Sequence, residues 1–243
     1  MLDFLSQIDS QIFLFFNNGL RSAFLDHVMM LFTGRFIWVP MYAAILVLFL
    51  RPQRWKAALL LTIALGAAIA LTDQTCATFI RPLVERLRPS NLENPLSAYA
   101  QVVNGYRGGA YGFPSCHAAN SFALATFMCL LVRRRLFVGF ICVWAFLNSY
   151  SRLYLGVHYP GDLFVGATIG IFFGWLCYRI ASRIIRRRQL VARRELNEPL
   201  FVMPVGIHIS TAVRIRTIAV HADDIVTAIG VVTALGIVFV AAV

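Results

Sequence analysis

The sequence predicts an all-α fold, a polytopic membrane bundle of five or six transmembrane helices. Of the 243 residues, 59% are hydrophobic and only 14% are charged, whereas soluble domains carry about 25% charged residues. The apolar residues form long uncharged runs separated by arginine clusters, which is typical of a multi-pass membrane protein. We therefore expect the lipid bilayer as a partner. We do not expect nucleic acid, because basic loops that orient membrane helices explain the net charge of +11 better.

The N-terminal segment, residues 1–20, is predicted to form an interfacial or partly inserted helix. Polar residues such as Asp3, Gln7 and Asp9 interrupt the Leu, Ile and Phe residues between positions 2 and 17. This pattern is too polar for a membrane span and is typical of an amphipathic helix at the membrane surface.

The predicted membrane core covers residues 21–188. Its uncharged runs lie at 36–50, 57–72, 118–132, 136–150 and 163–178. Most of them are shorter than the roughly 20 residues that a span requires. Each helix must therefore extend beyond its charge-free centre, with flanking arginine, lysine and aromatic side chains reaching the interface.

The C-terminal part divides into two segments. Residues 189–224 are polar and basic, and they are predicted to form a cytoplasmic linker. Residues 225–243 carry no charge and are long enough for an additional transmembrane helix.

The arginine distribution predicts which loops face the cytoplasm. Basic clusters follow the first, third and fifth uncharged runs, and such loops are usually cytoplasmic. The segments 80–117 and 151–162 then share the opposite, outer face. Basic residues are usually sparse on that face, yet it carries five arginines: Arg81, Arg86, Arg88, Arg107 and Arg152. We expect the chain to use them.

The first candidate cluster lies just after the second run and extends from Arg81 to Pro89. Arg81 and Arg88 are seven positions apart, so on a helix both side chains would point the same way. A guanidinium group matches the geometry of phosphate oxygens. The pair therefore predicts an anion clamp, although a basic stretch that touches lipid headgroups would have the same composition.

The second cluster is Pro114-Ser115-Cys116-His117, immediately before the third run. Proline is favoured in the first turn of a helix, where free N–H groups and the helix dipole bind anions. Ser115 offers a hydroxyl donor, and His117 would lie beside the anion. A cysteine phosphatase is excluded because that chemistry requires arginine six positions after the cysteine, where this chain has Phe122.

The third cluster extends from Ser151 to Asp162, between the fourth and fifth runs. Arg152 supplies a cation, and Asp162 follows His158 by four positions. A carboxylate at that spacing can hold one ring nitrogen of the histidine and leave the other free to attack or to carry a proton. The alternative is a helix-capping aspartate beside a structural histidine.

Together the three clusters resemble the type 2 phosphatidic-acid phosphatase family. Its pattern is Lys-x6-Arg-Pro, then Pro-Ser-Gly-His, then Ser-Arg-x5-His-x3-Asp, and this chain matches the order and the spacing of all three motifs. It departs from the pattern at two positions. Arg81 replaces the lysine, and Cys116 replaces the glycine where the backbone approaches phosphate. We expect a tolerated Cys116 to point its side chain away from the pocket.

The resemblance implies a role for each motif residue. His158 would attack phosphorus, Asp162 would orient His158, and His117 would protonate the leaving oxygen. The remaining residues would bind the phosphate oxygens as negative charge accumulates on them: Arg81, Arg88, Arg152, Ser115 and the backbone near Cys116.

The resemblance also implies the activity, a phosphatase that acts on a membrane lipid phosphate or diphosphate. Undecaprenyl diphosphate and lipid A are favoured over phosphatidylglycerol phosphate and phosphatidic acid, because an outward-facing site in a bacterial cytoplasmic membrane meets them. No metal or other cofactor is expected, since three guanidinium groups supply the positive charge. Two alternatives remain open: phosphotransfer to another lipid, and a non-catalytic protein that only binds lipid phosphates.

Overall fold

The computed structural model describes residues 2–19, 21–34, 36–49, 55–196 and 212–242, and almost all of its regular structure is helical. The one β feature in these ranges is an isolated bridge between Leu87 and Tyr111. The predicted all-α fold is therefore confirmed.

The helices are as follows in chain order: α1 (Leu2–Gly19), α2 (Ala23–Phe32), α3 (Val39–Phe49), α4 (Trp55–Gln74), a π-helical segment (Thr75–Ile80), α5 (Arg81–Val84), α6 (Cys116–Val132), α7 (Arg135–Tyr154), α8 (Pro160–Leu196) and α9 (Ala212–Ala242). Helix α4, the π-helical segment and α5 follow one another without interruption. Ser22 caps α2 by accepting a hydrogen bond from the Leu25 N–H group, and Pro160 begins α8, where a missing N–H group costs nothing.

Four helical stretches in the described part of the chain are long and apolar enough to cross a membrane: Trp55–Val84, Arg135–Tyr154, Pro160–Arg188 and Asp224–Ala242. Three shorter apolar helices accompany them: Ala23–Phe32, Val39–Phe49 and Cys116–Val132. Large apolar side chains are exposed on the outside of the bundle, including Phe164 and Phe239. The protein is a multi-pass membrane protein, as predicted, while the number of spans stays a prediction.

The two ends of the predicted linker are helical. Helix α8 continues to Leu196 and α9 begins at Ala212, so both helices extend into the segment 189–224. Residues 197–211 lie outside the described residues. At the start of the last apolar run, Asp224 forms a salt bridge with Arg134 at 3.0 Å, which places this part of α9 at the same end of the bundle as the α6–α7 loop.

Small residues allow α6 and α8 to pack backbone to backbone. Gly166, Gly170 and Gly174 recur every four residues and therefore share one face of α8. A methyl group at Gly170 would overlap the carbonyl oxygen of Ala119, and a methyl group at Gly174 would overlap that of Ala123. Small residues at such spacing promote close helix contact in membranes. The start of α6 is thereby held against the start of α8, where two of the sequence motifs lie.

Candidate active site

The three motifs meet at one end of the bundle, around a cavity of about 720 Å³. Six of the eight predicted site residues line it: Arg81, Arg88, Cys116, His117, Arg152 and His158. Away from these polar groups, the cavity continues between apolar side chains of α3, α4 and α7, among them Ile45, Leu65 and Trp144. A charged pocket with an apolar extension suits a ligand that has both an anionic and a hydrocarbon part.

Arg81 and Arg88 reach the cavity in a different way from the one predicted. Helix α5 ends at Val84, and Glu85 adopts the left-handed conformation with φ of 48°. Arg88 therefore lies in a loop, where its N–H group donates to the carbonyl of Ala110 at 3.0 Å. The expected helical alignment of the two arginines is wrong, because the helix ends between them. The folding of the loop brings their guanidinium groups to one cavity.

Arg88 contacts His158 directly. Its Nη1 atom lies 2.8 Å from Nε2 of His158 and donates to the carbonyl of Val157 at 3.0 Å. A guanidinium group has donors only, so Nε2 must accept and the ring proton of a neutral His158 must be on Nδ1. The Nε2 lone pair therefore faces the arginine-lined cavity.

The surroundings of His158 favour its neutral form. The side chain is 2% exposed. Burial lowers the pKa of His158 well below its ordinary value, and the charges of Arg88, Arg152 and Arg81 lower it further. Burial and the neighbouring charges of Arg152 and Arg81 also lower the pKa of Arg88, to about 10. At neutral pH Arg88 is still a cation and His158 is an unprotonated base.

Asp162 lies behind His158, on the first turn of α8, and is fully buried. Its Oδ2 atom is 3.5 Å from Nδ1 of His158 and accepts a hydrogen bond from the Tyr159 N–H group at 2.9 Å. The first distance is at the outer limit of hydrogen bonding, so Asp162 acts on the ring mainly through its charge. A negative charge at this position favours the proton on Nδ1 and agrees with the direction of the Arg88 contact.

Arg152 enters the cavity from the last turn of α7 and is 4% exposed. It donates to Oγ1 of Thr33 at 2.9 Å and to the Tyr106 hydroxyl at 3.2 Å. Tyr106 belongs to the loop between α5 and α6 and also presents its ring to the guanidinium, 5.3 Å from the ring centre. This loop therefore covers part of the anion site.

The start of α6 places Ser115, Cys116 and His117 in different environments. Ser115 is buried, and its hydroxyl caps the helix by accepting from the Ala118 N–H group. The structure shows this capping contact, whereas the sequence suggested a phosphate donor. His117, two positions on, lines the cavity.

Cys116 does not point away from the pocket, which corrects the expectation for this residue. Its Sγ atom accepts a hydrogen bond from Nη2 of Arg81 at 2.9 Å, and both residues line the cavity. The same Nη2 atom lies 3.2 Å from the carbonyl oxygen of Pro114. Cys116 replaces the motif glycine, and its thiol accepts a hydrogen bond from one N–H donor of Arg81, the first motif arginine.

The three motif arginines also share an unusual feature. The Nε atoms of Arg81, Arg88 and Arg152 are buried and have no hydrogen-bond partner among the described residues. Buried polar atoms are nearly always paired. Three unpaired guanidinium N–H groups around one cavity therefore indicate an anion-binding site.

Comparisons with known proteins agree with this geometry. The family model described as "PAP2 superfamily" matches residues 55–186. A lipid A 4'-phosphatase of Bacteroides thetaiotaomicron is 57% identical over 189 residues, which cover 78% of this chain and 84% of the relative. The chain belongs to the PAP2 superfamily.

Other PAP2 relatives are more distant. A lipid A 4'-phosphatase of Porphyromonas gingivalis is 31% identical over 74% of this chain and 75% of its own length. The crystal structure of Aquifex aeolicus LpxE matches with a TM-score of 0.51 and 26% identity, covering 70% of this chain and 93% of that one. A phosphatidylglycerolphosphate phosphatase from Bacillus subtilis shares the fold, with a TM-score of 0.55, 22% identity and coverage of 74% and 87%.

The sequence motifs missed two charged residues that contact the site. Arg86 forms a salt bridge with Asp162 at 2.9 Å, and Asp9 of α1 forms one with Arg86 at 2.7 Å. Arg86 was one of the five arginines on the predicted outer face, and no other sequence feature indicated a role in the site. No sequence feature indicated a role for Asp9, because the PAP2 match begins at residue 55 and the sequence of α1 is typical of an interfacial helix.

Proposed function

We propose that this PAP2 protein is a lipid A phosphatase of the bacterial inner membrane. The observation that carries the proposal is the cavity that Arg81, Arg88 and Arg152 line together with His158, whose Nε2 atom lies 2.8 Å from Nη1 of Arg88. The apolar extension of the cavity suits the hydrocarbon part of a lipid. The sequence analysis favoured lipid A and undecaprenyl diphosphate equally, and the identity of 57% to a lipid A 4'-phosphatase supports the first.

His158 is the nucleophile of this proposal. Nη1 of Arg88 gives up its hydrogen bond to Nε2, whose lone pair then attacks phosphorus. The ester P–O bond breaks, and the leaving oxygen takes a proton from His117. Water then attacks phosphorus and gives a proton to His117, and the P–N bond breaks to release inorganic phosphate and neutral His158. The depressed pKa of His158 keeps the nucleophile unprotonated at neutral pH, and Asp162 holds the proton of the ring on Nδ1.

The arginines supply the electrostatic part of catalysis. Phosphoryl transfer depends mainly on positioning and on cations fixed near the equatorial oxygens. Arg81, Arg88 and Arg152 are held in place by contacts with Pro114, Val157 and Thr33, respectively. Because these contacts exist before a substrate binds, little reorganisation is required in the transition state. We infer that these residues take the part that a metal ion has in other phosphatases.

A phosphate-release assay with purified protein tests the function. The panel contains lipid A, undecaprenyl diphosphate, phosphatidylglycerol phosphate and phosphatidic acid, and it includes the His158→Ala variant. We expect release from lipid A, and loss of release in the variant while folding is retained. Transfer of the phosphate to a second lipid would identify a phosphotransferase, and binding of lipid A without turnover would identify a binding protein.

The outward orientation of the site is also part of the proposal. It rests on the arginine-rich ends of the spans and on the position of the motif loops at the other end. Single cysteines placed at Arg134 and at Tyr106, in a background without reactive native thiols, should be labelled from opposite sides of the inner membrane. Position 106 should react from the periplasm, and labelling of both from one side would reject the topology.

A further inference from the structure

We propose that helix α1 completes the active site, because Asp9 positions Asp162 through Arg86. This inference rests on the proposed function, in which Asp162 orients His158. It assigns a catalytic contribution to a segment that lies outside the PAP2 match at residues 55–186 and that the sequence presented as a surface helix. Asp9 and Arg86 touch neither the cavity nor the reacting atoms, so both are positioning residues.

The contacts form a continuous chain from α1 to the nucleophile. Oδ2 of Asp9 lies 2.7 Å from Nη1 of Arg86, and the same nitrogen lies 2.9 Å from Oδ1 of Asp162. Oδ2 of Asp162 then lies 3.5 Å from Nδ1 of His158. Arg86 thus fixes one oxygen of Asp162 while the other faces the imidazole ring. Without Arg86, Oδ1 of Asp162 would lose its salt bridge, and the hydrogen bond from the Tyr159 N–H group to Oδ2 would hold the carboxylate less precisely against His158.

Asp9 makes a second contact, with the helix that carries Asp162. Its Oδ1 atom accepts a hydrogen bond from the N–H group of Gly161 at 2.7 Å. Gly161 is in the first turn of α8, directly before Asp162, where free N–H groups favour a carboxylate. Asp9 therefore holds both the arginine that contacts Asp162 and the backbone from which Asp162 projects.

The position of Asp9 depends on a glycine at 161. A Cβ atom at this position would lie 2.8 Å from Oδ2 of Asp9, closer than two such atoms can approach. The backbone of Gly161 does not adopt a positive φ, so what the glycine provides here is space, and a larger residue would displace the Asp9 carboxylate. This close fit is evidence of a built contact between α1 and the active site.

Aromatic side chains hold the network together. The guanidinium of Arg86 lies over the ring of Tyr159, 3.8 Å from its centre, and Phe13 of α1 packs against the other part of that ring at 5.5 Å between centroids. Phe13 is fully buried. The docking of α1 is therefore anchored by an apolar residue one helical turn after Asp9, which fixes the register of the carboxylate.

Because Asp9 and Asp162 share the positive charge of Arg86, the network also affects the reaction at His158. Arg86 alone would neutralise Asp162 and weaken its effect on the imidazole proton. With Asp9 present, one guanidinium serves two carboxylates, so Arg86 neutralises Asp162 less and leaves more of its negative charge beside His158. That charge stabilises the positive charge that develops on the ring during attack.

The experiment compares Asp9→Asn, Arg86→Gln and the double variant with the parent in phosphate-release kinetics. Glu93→Gln is the matched control, since it also replaces a carboxylate by an amide, on an exposed loop of the same end. We expect kcat of Asp9→Asn to fall on the order of a hundredfold, as for a small misplacement of a catalytic group. The KM and the inhibition constant for orthovanadate should stay within about twofold, because Arg81, Arg88 and Arg152 still bind the anion.

The double variant separates positioning from stability. If Asp9 acts through Arg86, then Asp9→Asn should cost almost nothing further in the Arg86→Gln background. Independent, additive losses would overturn the proposal. So would a parent-like kcat in Asp9→Asn, or equal losses in vanadate binding and kcat, which a merely structural role would produce.

A second measurement keeps this test separate from the proposed function. Nitrogen-15 histidine spectra report the tautomer of His158, whose signals are assigned by their loss in His158→Gln. We expect the Nδ1–H tautomer in the parent and a tautomer mixture in Asp9→Asn. If the parent releases no phosphate from any lipid, the proposed function fails, and the spectra alone decide the network. Identical spectra in parent and variant would then overturn it.

Discussion

Replacing Arg88 by glutamine should slow turnover and move the pH profile in a defined direction. Arg88 is 7% exposed and donates from one nitrogen to Nε2 of His158 at 2.8 Å and to the Val157 carbonyl at 3.0 Å. In the proposed mechanism Nε2 bonds to phosphorus, which brings the phosphoryl oxygens within reach of the same guanidinium. Arg88→Gln removes the charge and leaves a neutral amide on a side chain two bonds shorter, so the donor at the Nη1 position is lost.

The expected loss of activity follows from the hydrogen bonds that the positive charge of Arg88 strengthens. Each hydrogen bond to a charged group contributes about 1.5–3 kcal/mol. Loss of two such bonds to the transferring phosphoryl group costs about 3–6 kcal/mol in the transition state, so kcat/KM should fall by roughly 10²–10⁴.

The pH dependence of activity gives a second, independent test of the role of Arg88. The Arg88 charge lowers the pKa of His158, so removal of the charge raises that pKa toward its ordinary value. Only unprotonated His158 can attack, and activity is lost as the pH falls through its pKa. The acid limb of the kcat/KM profile, which reports the free enzyme, should therefore move to higher pH in Arg88→Gln.

The assay is phosphate release from lipid A in detergent between pH 4 and pH 9. Arg133→Gln is the control, because Arg133 is exposed at the opposite end and its side chain donates to the Leu130 carbonyl, far from the cavity. The control should keep the parent profile. An Arg88→Gln profile with an unmoved acid limb, or a loss below about tenfold, would refute the role given to this residue.

Three further predictions follow from the site and the packing. Cys116→Gly should keep kcat/KM within about tenfold of the parent, because it removes only hydrogen bonds that involve a weakly bonding sulfur, those with Arg81 and Cys76; abolished release would instead make the thiol essential. Gly170→Ala should lower the unfolding temperature and the activity, since the added methyl group overlaps the Ala119 carbonyl and overpacking costs about 1–3 kcal/mol. Gly139→Ala, with open space around the added carbon, should change neither. Phosphate release should survive chelators and be inhibited by orthovanadate, which can adopt the five-coordinate geometry of the transition state; loss on chelation that a divalent ion restores would contradict this.

The sequence by itself determined the fold class and the family. Uncharged runs of hydrophobic residues have few stable solutions other than membrane helices, because backbone polar groups must be satisfied internally in lipid. The three motifs then located the residues around the cavity by their spacing alone. His158 and Asp162, four positions apart across the start of α8, come within 3.5 Å largely through local chain geometry.

Other features depended on residues that are distant in the chain. Arg88 contacts His158 across 70 positions, and Asp9 reaches Gly161 across 152. No local pattern records such contacts, since they arise from the order in which helices pack. The close approach of α6 and α8 had a sequence signal, the four-residue spacing of Gly166, Gly170 and Gly174, but the spacing alone does not identify the partner helix.

The sequence-based predictions differ most from the structure where the local sequence is compatible with more than one conformation. Seven-residue spacing aligns Arg81 and Arg88 only on a continuous helix, and the left-handed Glu85 ends that helix between them. The Cys116 side chain takes its direction from tertiary contacts, since its thiol hydrogen-bonds with Arg81 and Cys76. The sequence therefore determined which chemical groups the protein has at the end of the bundle that holds the cavity. Tertiary packing decided their distances, because each position in the cavity is fixed by contacts from several helices at once.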